Sequence, residues 1–239
     1  MKLASVKIFI ILIAFGIADA VDYCKLCSDH IACNNNGQFA STCPRDATMV
    51  TFSNQHIQTL LNAHNNARNT IAGGGVSKLR TASKMMTLRW DNELAYLAAL
   101  NVRQCKMQHD RCRSTQKYKY AGQNLYWSGS SNYGDIINDL IGAVNAWYNE
   151  VKDVSQSDID KCCGGKNFSK IGHFLQMVQD RAVAVGCAAF RYTSGTWKAT
   201  LIACNYSFGN MGNDRVYVSG PTASACSSGR NPNFKNLCN

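Results

Sequence analysis

The spacing of apolar residues changes late in this chain, and the change separates helices from strands. Ile57, Leu60, Leu61 and His64 fall on one helical face, in a segment that runs from Ser53 to the break at Gly73-Gly74-Gly75. A second helix opens at Asp91, whose carboxylate suits an N-cap, and turns Leu94, Leu97 and Ala98 inward. A third is predicted over 135–151, burying Ile136, Leu140, Val144, Trp147 and Tyr148, and a short fourth over 169–179. Beyond it, 183–190 and 196–206 are apolar and partly β-branched. Thr193-Ser194-Gly195 lies between them, so the pair reads as a hairpin that Cys187 and Cys204 could staple. Helices first and strands later make the class α+β. No internal repeat interrupts this order.

The two ends read differently. Lys2 and Lys7 lead into the apolar stretch 8–17, and Ala18-Asp19-Ala20 supplies the small residues of a cleavage site. This is the pattern of a secretory signal peptide over 1–20. A stretch of that length falls short of the roughly 20 residues a membrane span needs, and no later uncharged run is long enough. Residues 21–52 hold Cys24, Cys27, Cys33 and Cys43 among polar residues with little period, a stapled N-terminal segment without its own core. The main domain is expected over 53–218 and a Gly-, Ser- and Asn-rich tail over 219–239.

The chain has 239 residues, 46% of them apolar, enough for one full core. Its 12 cysteines all follow residue 20. An even number in an oxidising compartment implies disulfides throughout. Cys24 and Cys27 have zinc-like spacing, yet no second pair matches them. Cys162 and Cys163 are adjacent, a separation that hinders bridging to one another, so two different partners are expected for them. Cys226 and Cys238 read as a clip in the tail.

Five short runs occur in a fixed order. They are Cys105-Lys-Met-Gln-His109-Asp110, Gly122-Gln-Asn-Leu125, Trp147-Tyr-Asn-Glu150, Gly172-His-Phe-Leu-Gln-Met-Val178 and Cys204-Asn-Tyr206. In that order they resemble the CAP superfamily of cysteine-rich secretory, antigen 5 and pathogenesis-related proteins. The N-terminal cysteines and Cys112 are similar to the insect antigen-5 branch, and the tail to antigen-5-related proteins of flies. The resemblance implies an α-β-α sandwich with a central groove lined by two His and two Glu. Position by position these fall on His109, Gln123, Glu150 and His173, with Gln123 standing where the family usually has Glu. Leu175 and Gln179 also depart from the usual Thr and Trp. The same resemblance implies the bridges Cys24–Cys33, Cys27–Cys112, Cys43–Cys105 and Cys187–Cys204. It leaves Cys162, Cys163, Cys226 and Cys238 unassigned.

The chemistry of the four groove residues can be weighed directly. Two imidazoles and one carboxylate, His109, His173 and Glu150, form a half-shell that could hold zinc or copper. Replacing Glu by Gln123 removes one negative charge, so the metal is expected to be weakly held and no cofactor required. A hydrogen-bonded network that fixes the fold is the competing reading. Gly-x-Ser-x-Gly and His-Glu-x-x-His are absent, and the paired acids of glycoside hydrolysis are lost. Binding therefore ranks ahead of catalysis, with a metal-dependent enzyme or redox site as the alternative. The expected partner is a small apolar ligand, such as a lipid or sterol, or an extracellular protein. His64 is read as a packing histidine, and Tyr126, Trp127 and Trp147 as core or groove wall.

The net charge of +10 does not make this a nucleic-acid binder, since no such motif is present. Asn167-Phe-Ser169 is a glycosylation acceptor; Asn205-Tyr-Ser207 also fits, but at a buried strand end. A secreted monomer without a transmembrane segment is expected.

Overall fold

The computed structural model describes residues 21–163 and 167–239, so the leader expected over 1–20 lies outside the described residues. The cysteine-rich segment supplies one helical turn, α1 (Tyr23–Leu26), and a short strand, β1 (Thr48–Val50). α2 (Asn54–Ala72) begins where the pattern placed it. Ser53 Oγ accepts the His56 N–H and His56 Nδ1 accepts the Ser53 N–H, a reciprocal cap. It stops at Gly73, as expected. Two short strands follow, β2 (Ala82–Lys84) and β3 (Arg89–Trp90). α3 (Asn92–Val102) then starts on Asp91, whose side chain accepts the Leu94 N–H at 3.0 Å. The chain continues through β4 (Gly122–Ser130), α4 (Ile136–Asn149), a 3₁₀ turn (Glu150–Asp153) and α5 (Gln156–Asp160). It ends with α6 (Phe168–Met177), the hairpin β5 (Ala184–Ser194) and β6 (Trp197–Tyr206), and β7 (Val218–Ser219).

The main sheet runs β1-β5-β6-β4, with β3 pairing parallel to β5 beyond the end of β1. A second, two-stranded sheet joins β2 to β7. Alternation along β5 and β6 divides the core between two faces. Ala188, Phe190, Leu201 and Ala203 join Leu125 of β4 against Ala98 and Val102 of α3. Val185, Ala189, Ile202 and Tyr206 face Leu60, Trp147 and Phe174 from α2, α4 and α6. This is the α-β-α sandwich. α3 rests directly on β5 at Gly186, where a Cβ would stand 2.2 Å from the Ala95 amide nitrogen.

Several expectations need correction. The 21–52 segment is not outside the domain, because β1 extends the main sheet; the 218/219 boundary cuts through β7. The third helix ends at Asn149, which leaves Glu150 on the 3₁₀ turn. Cys162 is bridged to Cys163 rather than to a distant partner. Fully buried Cys162 is pinned by backbone bonds to Asp214 and Asn213, Cys163 takes a φ of 72°, and the remaining pair is consumed as Cys226–Cys238. Cys24–Cys33, Cys27–Cys112, Cys43–Cys105 and Cys187–Cys204 complete the set, and no cysteine is free. Trp127 is neither core nor groove wall. It lies 39% exposed on the α3 face of the sheet, donating to Tyr192 Oη.

Candidate functional site

His109 sits on the loop between α3 and β4, and two bridges hold that loop on either side, at Cys105 and at Cys112. Its neighbour Asp110 organises the position. Asp110 accepts from Asn101 Nδ2 at the end of α3 (2.8 Å), from Arg113 Nε (2.7 Å) and from Gln123 Nε2 on β4 (2.8 Å). Gln123 Nε2 also donates to Asn205 Oδ1 on β6 at 3.0 Å. Its amide is thereby oriented with Oε1 toward His109 Nδ1, 2.8 Å away. An amide oxygen only accepts, so His109 carries its proton on Nδ1 and keeps a lone pair on Nε2. Although the ring is open to solvent at its edge, desolvation by the groove walls holds its pKa below the ordinary value. Gln123 and Asp110 oppose that shift, while Arg113 and His173 add to it.

The other half comes from the far face of the sheet. Glu150 Oε1 accepts from His173 Nδ1 at 2.6 Å, and Oε2 accepts the Phe174 N–H at 2.9 Å. A carboxylate also only accepts, so His173, like His109, carries a proton on Nδ1. The ring stacks on Trp147 at 6.3 Å. Asn124 of β4 donates to the His173 carbonyl and to Tyr206 Oη. Tyr206 in turn donates to His64 Nε2, whose Nδ1 donates to the Leu60 carbonyl. His64 is fully buried and belongs to packing, as expected.

Both imidazoles line one open groove of about 670 Å³. Gly122 forms its floor, where a Cβ would meet Gln176 Oε1 at 2.1 Å. Gln123 lies in the wall, but Glu150 does not: both its oxygens are spent behind His173. The expected three-ligand set of His109, Glu150 and His173 thus narrows to two ring nitrogens. They fit a divalent cation in one respect, since an oxygen acceptor on Nδ1 is what orients a ligating imidazole. Only two protein donors are offered, one fewer than the three of a typical catalytic zinc site. A second cluster, Cys27, His30 and Cys112, has metal-like proximity. Its sulfurs are bonded to each other, and both His30 ring nitrogens are engaged, with Ser114 O and the Ala32 N–H.

Asp110, Asn101, Arg113 and Asn205 set the groove side chains in place, a role the motif reading did not give them. Asp110 and Asn205 left a trace, since each falls inside one of the ordered runs.

A fold of this topology with paired groove imidazoles defines a class, and comparison with known proteins agrees. The model of the CAP, cysteine-rich secretory protein family matches residues 61–206, and the chain belongs to that family. It is similar to venom allergen-1 of Aedes aegypti, 37% identical over 222 residues that cover 91% of this chain and 87% of that protein. It also resembles the antigen 5 like allergen Cul n 1 of Culicoides nubeculosus. There the identity is 42% over 168 residues, covering 70% and 76% of the two chains. Among solved structures, the crystal structure of NaASP2 with Zn2+ aligns with a TM-score of 0.65 at 27% identity. That alignment covers 82% of this chain and 100% of the other. The insect antigen-5-like assignment and the sandwich fold both stand.

Proposed function

We propose that this chain works outside the cell as a binding protein, holding a polar segment of an extracellular protein in the groove without turning it over. Six disulfides and relatives named as venom allergens support an extracellular setting. The observation that carries the reading is the pair of locked imidazoles that line the groove, each held through Nδ1 by an oxygen acceptor. The groove wall opposes the apolar half of the earlier expectation. Among the described residues Tyr120, Phe168 and Met211 are its only large apolar side chains, and a lipid or sterol would strand imidazole, amide and guanidinium groups away from water. Arg111 stands in the wall with no ion pair among the described residues, while Asp110 is consumed by Arg113. An acidic side chain of the partner therefore fits best. A divalent cation on the two Nε2 atoms would supply a weak bridge to such a group.

The test is titration with zinc and with copper of the wild type and of the His109→Ala, His173→Ala double variant. Both are run beside a panel of ester, peptide and glycoside substrates. One weak site that disappears in the double variant, with no turnover, is the expected result. Equal affinity in both proteins, or turnover that vanishes in Glu150→Gln, would overturn it.

A further inference from the structure

We infer that Asn167 carries an N-linked glycan that stands at the mouth of the groove and screens the two imidazoles. Asn167-Phe168-Ser169 is an acceptor triplet, and its asparagine lies exposed at the N-cap of α6. Among the described residues its side chain makes no capping hydrogen bond, which leaves the amide nitrogen open to substitution there. The next two residues already line the groove, one helical turn before Gly172 and His173. Phe168 is 39% exposed at that rim. An oligosaccharide rooted one residue before this wall sweeps the opening that Phe168 borders.

The second triplet supplies an internal control. Asn205 is fully buried in β6, with Nδ2 donating to the Leu94 carbonyl and Oδ1 accepting from Gln123. A sugar on that nitrogen would push α3 away and break the amide chain that sets His109, so the folded protein carries none there. In the transfer itself, the C1–O bond of a polyprenyl-diphosphate-linked oligosaccharide breaks and a C1–Nδ2 bond to Asn167 forms. The amide proton passes to a base and the polyprenyl diphosphate leaves; no electrons change hands.

The inference holds whichever ligand occupies the groove, and its test uses none. Protein secreted from insect cells is mapped by peptide mass spectrometry. Rates of diethylpyrocarbonate acylation at His109 and His173 are then compared for the native chain, the enzymatically deglycosylated chain and Asn167→Gln. A glycan on the Asn167 peptide, an unmodified Asn205 peptide and several-fold faster acylation of His173 without the glycan are expected. An unmodified Asn167, or a glycan at Asn205, would overturn the site. Equal acylation rates with and without the glycan would overturn the screening.

Discussion

Changing Gln123 to Glu would return a second carboxylate to the groove, yet the structure makes this a destabilising substitution. Gln123 is 8% exposed, and its Nε2 donates at 2.8 Å to Asp110 and at 3.0 Å to Asn205. Glutamate would set an acceptor oxygen against both. A hydrogen bond to a charged group is worth about 1.5–3 kcal/mol. Two carboxylates pushed to about 4 Å apart repel by about 4 kcal/mol at an effective dielectric of about 20. Side-chain relaxation and a more readily protonated His109 return part of this, leaving an expected loss of about 3 kcal/mol near neutral pH, a large share of the total stability of a domain. The loss carries a pH signature. Crowding by Asp110 raises the new carboxyl's folded pKa above its unfolded value of about 4.3. The folded state then holds that proton more tightly, so the deficit is small below the unfolded value and grows as pH rises through the folded one. Urea midpoints of wild type and variant, disulfides intact, at about pH 3.5 and about pH 7.5 bracket that window. A wild-type midpoint at the higher pH, or a deficit that is larger in acid, would refute the reasoning.

Other outcomes follow from the same geometry. Burial lowers the His64 pKa to about 4, against about 6.5 unfolded. Its contribution is complete above the unfolded value and lost as pH falls toward 4, up to roughly 3 kcal/mol. His64→Gln should flatten that acid limb of the stability curve, and an unchanged limb would count against the assignment. Arg68, fully buried, donates to the carbonyls of Met86, Met177, Gln179 and Ala182. Arg68→Ala strands four acceptors at about 1–3 kcal/mol each, so secretion should fail, and a soluble, cooperatively melting variant would contradict this. Glu150→Gln weakens the hold on the His173 tautomer and should cost about 10–100-fold in zinc affinity, measured by calorimetry. Removing Cys27–Cys112 by paired serines frees one side of the His109 loop. Zinc affinity should fall while the α2–α6 core, read by amide exchange, stays protected.

The helices were legible because period and caps agreed: Ser53 and Asp91 start α2 and α3 where the apolar stripe begins, and Gly73 closes α2. The hairpin was legible for the same reason. β1, β2 and β3 carry two or three residues each, too few to show a period, and exist only through pairing with β5 and β7. β4 was visible as the motif at 122–125 but not as a strand, since Gln123 and Asn124 are polar residues buried by the groove network. Asp110 escaped because its role depends on Asn101 and Gln123, which meet it only after the disulfide-held loop closes. The Cys162–Cys163 bridge was argued against on the strain of adjacency, and a left-handed Cys163 accommodates it.

Long-range nitrogen–proton NMR of the histidine rings tests the central claim most directly. Free neutral imidazoles favour the proton on Nε2, so the opposite tautomer is diagnostic. At neutral pH His109 should show a protonated Nδ1 and a bare Nε2, and His173 a protonated Nδ1, with zinc shifting the Nε2 signals. A bare Nδ1 on either ring, or a proton on Nε2 of His109, would contradict the account.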